Sequence, residues 1–268
     1  MPEIEEKNRY LSKLNSHPFD ARIQFFDDGH IYEVDGQQGY TSVTTVVSKF
    51  HEHFNKTNIL KKMRASGKLF REGQRYHGMT DDDIEREWSE NGRRASEAGT
   101  KMHYNIECFY NNNPFQDPEM MEIKKHFLNF QREHVEKQGL IPYRTEMFVF
   151  DENRKIAGSI DMLFTDTSGN LYIYDWKRVK ELKETNPFAK MKHPFGHYDD
   201  CNYIHYSVQL NIYRRILESV YEKNIAGMCL VVLHEENEDF IVKSVPFLEK
   251  EMDVVMDSLL LQTQRSRA

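Results

Sequence analysis

Three runs rich in Val, Ile, Phe and Tyr follow one another at residues 144–150, 156–164 and 171–177, with polar turns at 152–155 and 166–170 between them. Turns this short join antiparallel neighbours, so the stretch is expected to fold as a meander. A hairpin centred on Asn153 and Arg154 sets Glu146 opposite Asp161. A second hairpin, centred on Ser168, sets Asp161 opposite Asp175. Lys177 lies two residues beyond Asp175 and shares its face of the strand. A chain that lines up three carboxylates in this way must find charge to offset them.

Like charges directly opposite one another in a sheet repel. A divalent cation such as Mg²⁺ or Mn²⁺ removes that penalty, because it prefers carboxylate oxygens and keeps waters for chemistry. The Lys177 ammonium is then placed to orient an attacking water or to stabilise charge developing on a phosphate. A solvated polar face explains any one of these acids. It explains the set poorly: Asp161 lies between Ile160 and Met162, and Asp175 between Tyr174 and Trp176, in segments that read as buried.

Around the meander the chain alternates helical and strand-like patterns. Residues 1–20 are polar and read as a weakly ordered or surface-docked start. A hairpin follows around Asp28 and Gly29, then a helix capped by Thr41 or Ser42 with Val43, Val46, Val47 and Phe50 on one face. Residues 55–98 read as helical, first basic, then acidic from Asp81, with Trp88 as an anchor. In Gly99-Thr-Lys-Met-His103-Tyr-Asn-Ile-Glu107, Thr100 is a candidate helix start, and His103 and Glu107 share a face. An ordinary surface pair gives the same spacing. Residues 117–138 read as one long helix, with Pro118 in its first turn and Gly139 at its end. The window 177–193 carries Lys177, Arg178, Lys180, Lys183, Lys190, Lys192 and His193 against Glu181 and Glu184. It reads as a basic loop, either a phosphate track or a plain solvated segment. A helix over 203–221 places Gln209 and Tyr213 one turn apart. Strands near 228–233 and 240–245, a helix over 247–263 and a frayed tail complete the chain.

Asp161 followed by Asp175-Trp176-Lys177, with Gly158-Ser-Ile-Asp161 as the first half, resembles the signature of the PD-(D/E)xK nucleases. The Gly99–His103–Glu107 segment before it and Gln209-Leu-Asn-Ile-Tyr213 after it are similar to motifs of the RecB-like exonuclease branch. That branch includes phage-type exonucleases and the mitochondrial genome-maintenance exonuclease. The resemblance implies an α/β fold with a restriction-endonuclease-like core, a mixed β-sheet flanked by helices, and a helical lobe over the active site. It divides the chain into an N-terminal hairpin and lobe, residues 1–98, and a nuclease core, residues 99–268, forming one compact unit. It implies one or two Mg²⁺ or Mn²⁺ ions among His103, Glu146, Asp161, Asp175 and the Trp176 carbonyl. Lys177 would position the nucleophile, and Gln209 and Tyr213 would line the site. Thr100, Arg178, Lys180, Lys183, Lys190 and Lys192 are the expected nucleic-acid contacts. The substrate would be DNA, processed most often from an end, in replication, recombination or repair, with a recombination or replication protein as a candidate partner. The Ser-Val-Thr segment after the first hairpin is similar to phage-type members and suggests a virus or mobile element.

Composition bounds these readings. Hydrophobic residues make up 39% and aromatics 12% of 268 residues, which suits a globular chain. Cys108, Cys201 and Cys229 have no paired spacing, so no iron–sulfur cluster, zinc cysteine site or disulfide framework is expected. No apolar run approaches a membrane span, and the first residues lack basic and apolar regions, so an intracellular protein is expected. A net charge of −7 disfavours non-specific coating of nucleic acid without excluding a nuclease with a local basic track. The competing readings are an endonuclease, a nucleic-acid-binding scaffold on a nuclease fold, and a metal-dependent hydrolase of another substrate.

Overall fold

The computed structural model describes residues 8–52, 54–115 and 117–267. Residues 1–7 of the expected polar start and Ala268 of the expected tail lie outside the described residues. The rest of the start is docked. Leu11 of α1 (Tyr10–Leu14) is buried, Asn15 Nδ2 donates to the Tyr143 carbonyl, and Asp20 meets the buried Arg144 guanidinium at 2.8 Å. β1 (Ile23–Phe26) and β2 (Ile31–Val34) form the expected hairpin, and Phe25 and Tyr32 pack on Phe148. β3 (Thr41–Ser42) passes directly into α2 (Val43–Ser48). Ser42 is the cap: its Oγ accepts from the Thr45 N–H at 3.0 Å.

After α3 (Lys56–Ser66), α4 runs unbroken over Asp81–Tyr110. It passes through Thr100, the expected helix start, and through the expected boundary at 98/99. The true start is a capping box: the Thr80 hydroxyl accepts from the Asp83 N–H, and the Asp83 carboxylate accepts from the Thr80 N–H. Asp81, Asp82 and Asp83 in the first turn suit the helix dipole. A glycine inside a helix costs about 1 kcal/mol, and Gly99 is accommodated because Met102, Ile106 and Tyr110, spaced by four, bury the following face. The lobe has its own apolar nucleus of Leu60, Tyr76 and Ile84, against which Trp88 packs, its indole donating to the Tyr76 hydroxyl. The helix expected over 117–138 is segmented: a 3-10 turn at Pro118–Met120, α5 (Met121–Phe130) and a π turn at Gln131–Glu136. Gly139 ends it in a left-handed conformation, φ +64°.

The meander is β4 (Ile141–Asp151), β5 (Ile156–Thr165) and β6 (Leu171–Lys177), all antiparallel neighbours. Thr145 pairs with Met162 and Met147 with Ile160, which brings Glu146 alongside Asp161. Met162 pairs with Tyr174, so the register set by the Ser168 turn leads Asp161 towards Asp175. β6 then crosses over through α6 (Asn202–Ser219) to its parallel neighbour β7 (Ile225–Val232), and β8 (Ile241–Ser244) closes the edge. α7 (Glu249–Arg267) continues as helix past the expected end at 263.

The result is a six-stranded mixed sheet in the order β3-β5-β6-β7-β8, with β4 also paired to β5. Helices flank it, as the sequence led one to expect. Alternation along β6 divides two cores. Ile173 joins Val46, Val208, Ile212 and Ile216 on the α2 and α6 side. Tyr174 and Trp176 join Met102, Ile106, Phe127 and Phe130 on the α4 and α5 side.

Candidate active site

The acids gather at a fork in the sheet. β4 lines one edge of β5. The other edge is shared, with β3 on Ile156 and Ala157, and β6 on Met162 to Thr165. Residues 158–161 between them meet no strand on that edge among the described residues. Where β6 parts from β5, the Asp161 Oδ2 accepts from the Trp176 N–H at 2.9 Å. A side chain thus takes over where the ladder stops.

α4 delivers His103 to this fork. His103 Nδ1 lies 3.5 Å from Asp161 Oδ2 and 3.8 Å from Glu146 Oε1. Its Nε2 lies 3.1 Å from the Trp176 carbonyl. If Nε2 carries the proton and donates to that carbonyl, Nδ1 is left as the nitrogen facing the carboxylates. One ligand atom from each of His103, Glu146 and Asp161 falls within 4.8 Å of the others. Glu146 is held by the Ser159 hydroxyl, which donates to Oε2 at 2.8 Å. Glu146 also has φ +43°, the left-handed region that a side chain enters at a cost of about 1–3 kcal/mol.

Asp175 and Lys177 form a second group beside the first. Lys177 Nζ is 2.6 Å from Asp175 Oδ2, in ion-pair contact but off the hydrogen-bond direction, so this buried oxygen lacks a well-directed donor. The Lys177 ammonium also sits 4.4 Å from the centre of the Tyr206 ring. Tyr206 was not among the residues singled out from sequence. Its signal was its spacing, three before Gln209 and seven before Tyr213, on one helical face.

Burial lowers the His103 pKa, but Asp161 and Glu146 outweigh it and raise the imidazolium to about 9. Burial raises Asp161, against the pull of His103. Burial raises Asp175 to about 6, with Lys177 opposing and Asp161 reinforcing the shift. Burial raises Glu107, one turn after His103, to about 7, and Glu146 adds to it. His103 and Lys177 are therefore the cations that offset the clustered acids, a role a divalent ion performs better. One imidazole nitrogen, two carboxylates and a nearby buried carboxylate oxygen without a directed donor suit such an ion.

α6 covers the fork. Gln209 lies one turn before Tyr213 on α6, and Tyr213 is buried. Its ring lies over Gly158, where an added Cβ would come within 2.7 Å of Cε1 and 2.8 Å of the hydroxyl oxygen. The glycine of Gly158-Ser-Ile-Asp161 is thus the space that Tyr213 fills.

The expected nucleic-acid residues fare differently. Thr100 is exposed in mid-helix and donates to the Ser96 carbonyl. The basic window is more neutralised than its local sequence suggested: Arg178 pairs with Glu235, Lys180 with Glu236, Lys190 with Asp199 and Lys192 with Glu52. Lys183 makes no ion pair among the described residues.

No protein-family description matches the chain, and no curated protein matches it. Among solved structures, the chain is similar to a proposed exonuclease from Eubacterium rectale, at 12% identity over 85% of this chain and 82% of that one, with a TM-score of 0.38. It is also similar to the protein SSO0001, at 11% identity over 98% of this chain and 85% of that one, with a TM-score of 0.28. Both likenesses are remote, and the functional reading rests on the side chains at the fork.

Proposed function

We propose that the protein is a divalent-metal-dependent DNA nuclease, acting as an exonuclease. The observation that carries this reading is the convergence of His103, Glu146 and Asp161 from α4, β4 and β5, beside the buried Asp175–Lys177 pair of β6. His103, Glu146, Asp161 and Asp175 would hold the ion, Mg²⁺ or Mn²⁺, with the Trp176 carbonyl orienting His103 or adding an oxygen. When bound, such an ion polarises a phosphodiester and acidifies a water.

The chain's own groups supply the remainder. Lys177 presents a positive charge at the edge of the carboxylate cluster, where it can hold a water or meet charge developing on phosphate oxygens. Tyr206 covers that ammonium and limits its contact with bulk water. Tyr213 seats α6 against Gly158 and so fixes the wall of the site, with Gln209 one turn before it on the same helix. Lys183 and the surrounding loop offer a contact for the DNA backbone.

The test uses linear DNA labelled at one end, single- and double-stranded, beside a closed circle, with Mg²⁺, Mn²⁺ or EDTA. Metal-dependent shortening of linear DNA with the circle spared is expected. Asp175→Ala and Lys177→Ala should each abolish it while retaining native circular dichroism. Cutting of the circle would make the enzyme an endonuclease. Binding without any cleavage would leave a scaffold in place of an enzyme.

A further inference from the structure

A cleft of about 750 Å³ adjoins the fork. Glu107 and Glu146 line it on the side of the fork, and Arg9, Lys13, Phe25 and Phe148 line it elsewhere. The segment that carries Arg9 and Lys13 is pinned from both sides. Within α1 the Leu11 N–H donates to Asn111 Oδ1 at 3.0 Å, and Asn111 Nδ2 donates to Thr145 Oγ1 at 2.8 Å. Beyond α1 the Asn15 carbonyl accepts from Arg144 Nη1 at 3.0 Å, and the two Arg144 Nη atoms hold the Asp20 carboxylate at 2.8 and 3.1 Å. Both anchors, Arg144 and Thr145, are buried and immediately precede Glu146 on β4. The α1 segment is therefore a fixed wall beside the candidate metal site.

The charges of this wall suit a phosphate chain. Arg9 and Lys13 are four apart, and the Lys13 N–H donates to the Arg9 carbonyl at 2.9 Å, so the two side chains share one face of the turn. Both are exposed. Lys13 makes no ion pair among the described residues, and Asp20, an acid lining the same cleft, is spent on Arg144. The basic loop, by contrast, is largely neutralised. Phe25 and Phe148, both half-buried with ring centres 5.8 Å apart, add an aromatic lining. Cations that follow a backbone beside aromatic rings are the chemistry of single-strand recognition, whereas a duplex keeps its bases stacked inside and offers none to a ring. We propose that the cleft seats single-stranded DNA next to the scissile phosphate, with Lys13 and Arg9 holding neighbouring phosphates and Phe25 with Phe148 receiving a base. The inference rests on the nuclease reading for the phosphate at the fork.

Its test reads binding, and so can fail separately from that reading. Labelled oligo-dT is titrated with the full chain in EDTA, which suspends metal-dependent cleavage, and fluorescence anisotropy gives the affinity at several salt concentrations. Arg9→Ala with Lys13→Ala should weaken binding roughly tenfold and lower the slope of log K against log salt by about 1.4, as for two phosphates of a single strand. Arg9→Lys with Lys13→Arg should keep wild-type affinity. Phe25→Leu, which retains apolar bulk, should weaken binding about fivefold or more with the slope unchanged. Lys250→Ala with Arg265→Ala removes the same charge from α7, outside the cleft, and should change neither quantity. Unchanged affinity in Arg9→Ala with Lys13→Ala, or an equal loss in the α7 variant, overturns the proposal. Either result beside cleavage by the wild type removes the cleft and keeps the nuclease. The expected losses of binding, without cleavage by the wild type, keep the cleft and remove the enzyme.

Discussion

Replacing Gly158 with alanine isolates the contact that seats α6 on the fork. No positive φ protects this glycine, so its backbone accepts any residue. By itself, Gly→Ala in a strand stabilises by about 0.5–1 kcal/mol. Here the added methyl meets Tyr213 Cε1 at 2.7 Å and its hydroxyl at 2.8 Å. The ring is buried and cannot step aside without moving α6. Overpacking of this kind costs about 1–3 kcal/mol, so Gly158→Ala should lose about 1–2 kcal/mol net. In urea, with a slope of about 1–3 kcal/mol/M, that lowers the midpoint by roughly half a molar or more. The decisive arm is Tyr213→Leu, which withdraws the ring and its hydroxyl. In that background Gly158→Ala should be neutral or mildly stabilising, giving a coupling of about 1–3 kcal/mol. An equal cost in both backgrounds would refute the role assigned to Tyr213. Cleavage should fall with Gly158→Ala even where the protein remains folded, since the wall of the site has moved.

The fork also carries a pH signature. His103 is raised to about 9 from its ordinary 6.5, so its stabilisation is full below pH 6.5 and lost as pH rises through 9. In EDTA, unfolding free energies from urea titrations should therefore fall over that range, by up to about 3 kcal/mol. His103→Gln should flatten the curve, and Mn²⁺ should protect wild type most at high pH, because ligands must be deprotonated. Lys177→Met removes the partner of a buried carboxylate and should cost about 3 kcal/mol in metal-free protein. Lys177→Met with Asp175→Asn should recover most of that, as read by thermal melts. In DNA-binding titrations, Lys183→Ala should weaken affinity more than Lys190→Ala, whose ammonium already pairs with Asp199. Phe188, 94% exposed in the same loop, should lose about 1–3 kcal/mol of single-strand affinity on replacement by alanine if it stacks on a base.

What the sequence made legible follows from which forces are local. The strand pairing of the meander was readable because two short turns and period-two alternation fix register, and register alone brings Glu146 and Asp161 together. The cap was readable only as Thr41 or Ser42, and the structure selects Ser42. The unbroken α4 was not, because Gly99 and Thr100 look like a helix start and the burial that overrides them comes from α5 and β6. Neutralisation of the basic window was invisible because Glu235 and Glu236 lie more than fifty residues along the chain, and Glu52 precedes the window by more than a hundred.

The fork explains why the acids lie where they do. A continuous ladder along β5 would have used its backbone groups at residues 158–161 and held a strand beside the carboxylates. Splitting the edge between β3 and β6 opens that side. Into the opening come a helix side chain, His103, and a helix face, α6, neither of which fits between paired strands about 4.8 Å apart. The Trp176 amide, bonded by Asp161 rather than by a strand, shows the cost met locally by the same carboxylate that gains the opening. The left-handed Glu146 on the neighbouring strand points the same way. If geometry at the fork is held against intrinsic preference, Glu146→Gly should stabilise the metal-free fold by about 1 kcal/mol above pH 9, where His103 is neutral and no ion pair with Glu146 is lost, through relief of φ strain and of repulsion from Asp161. It should at the same time abolish Mn²⁺ binding at the fork. A stabilised variant that still binds Mn²⁺ as wild type does would separate the strain from the metal and undo this account.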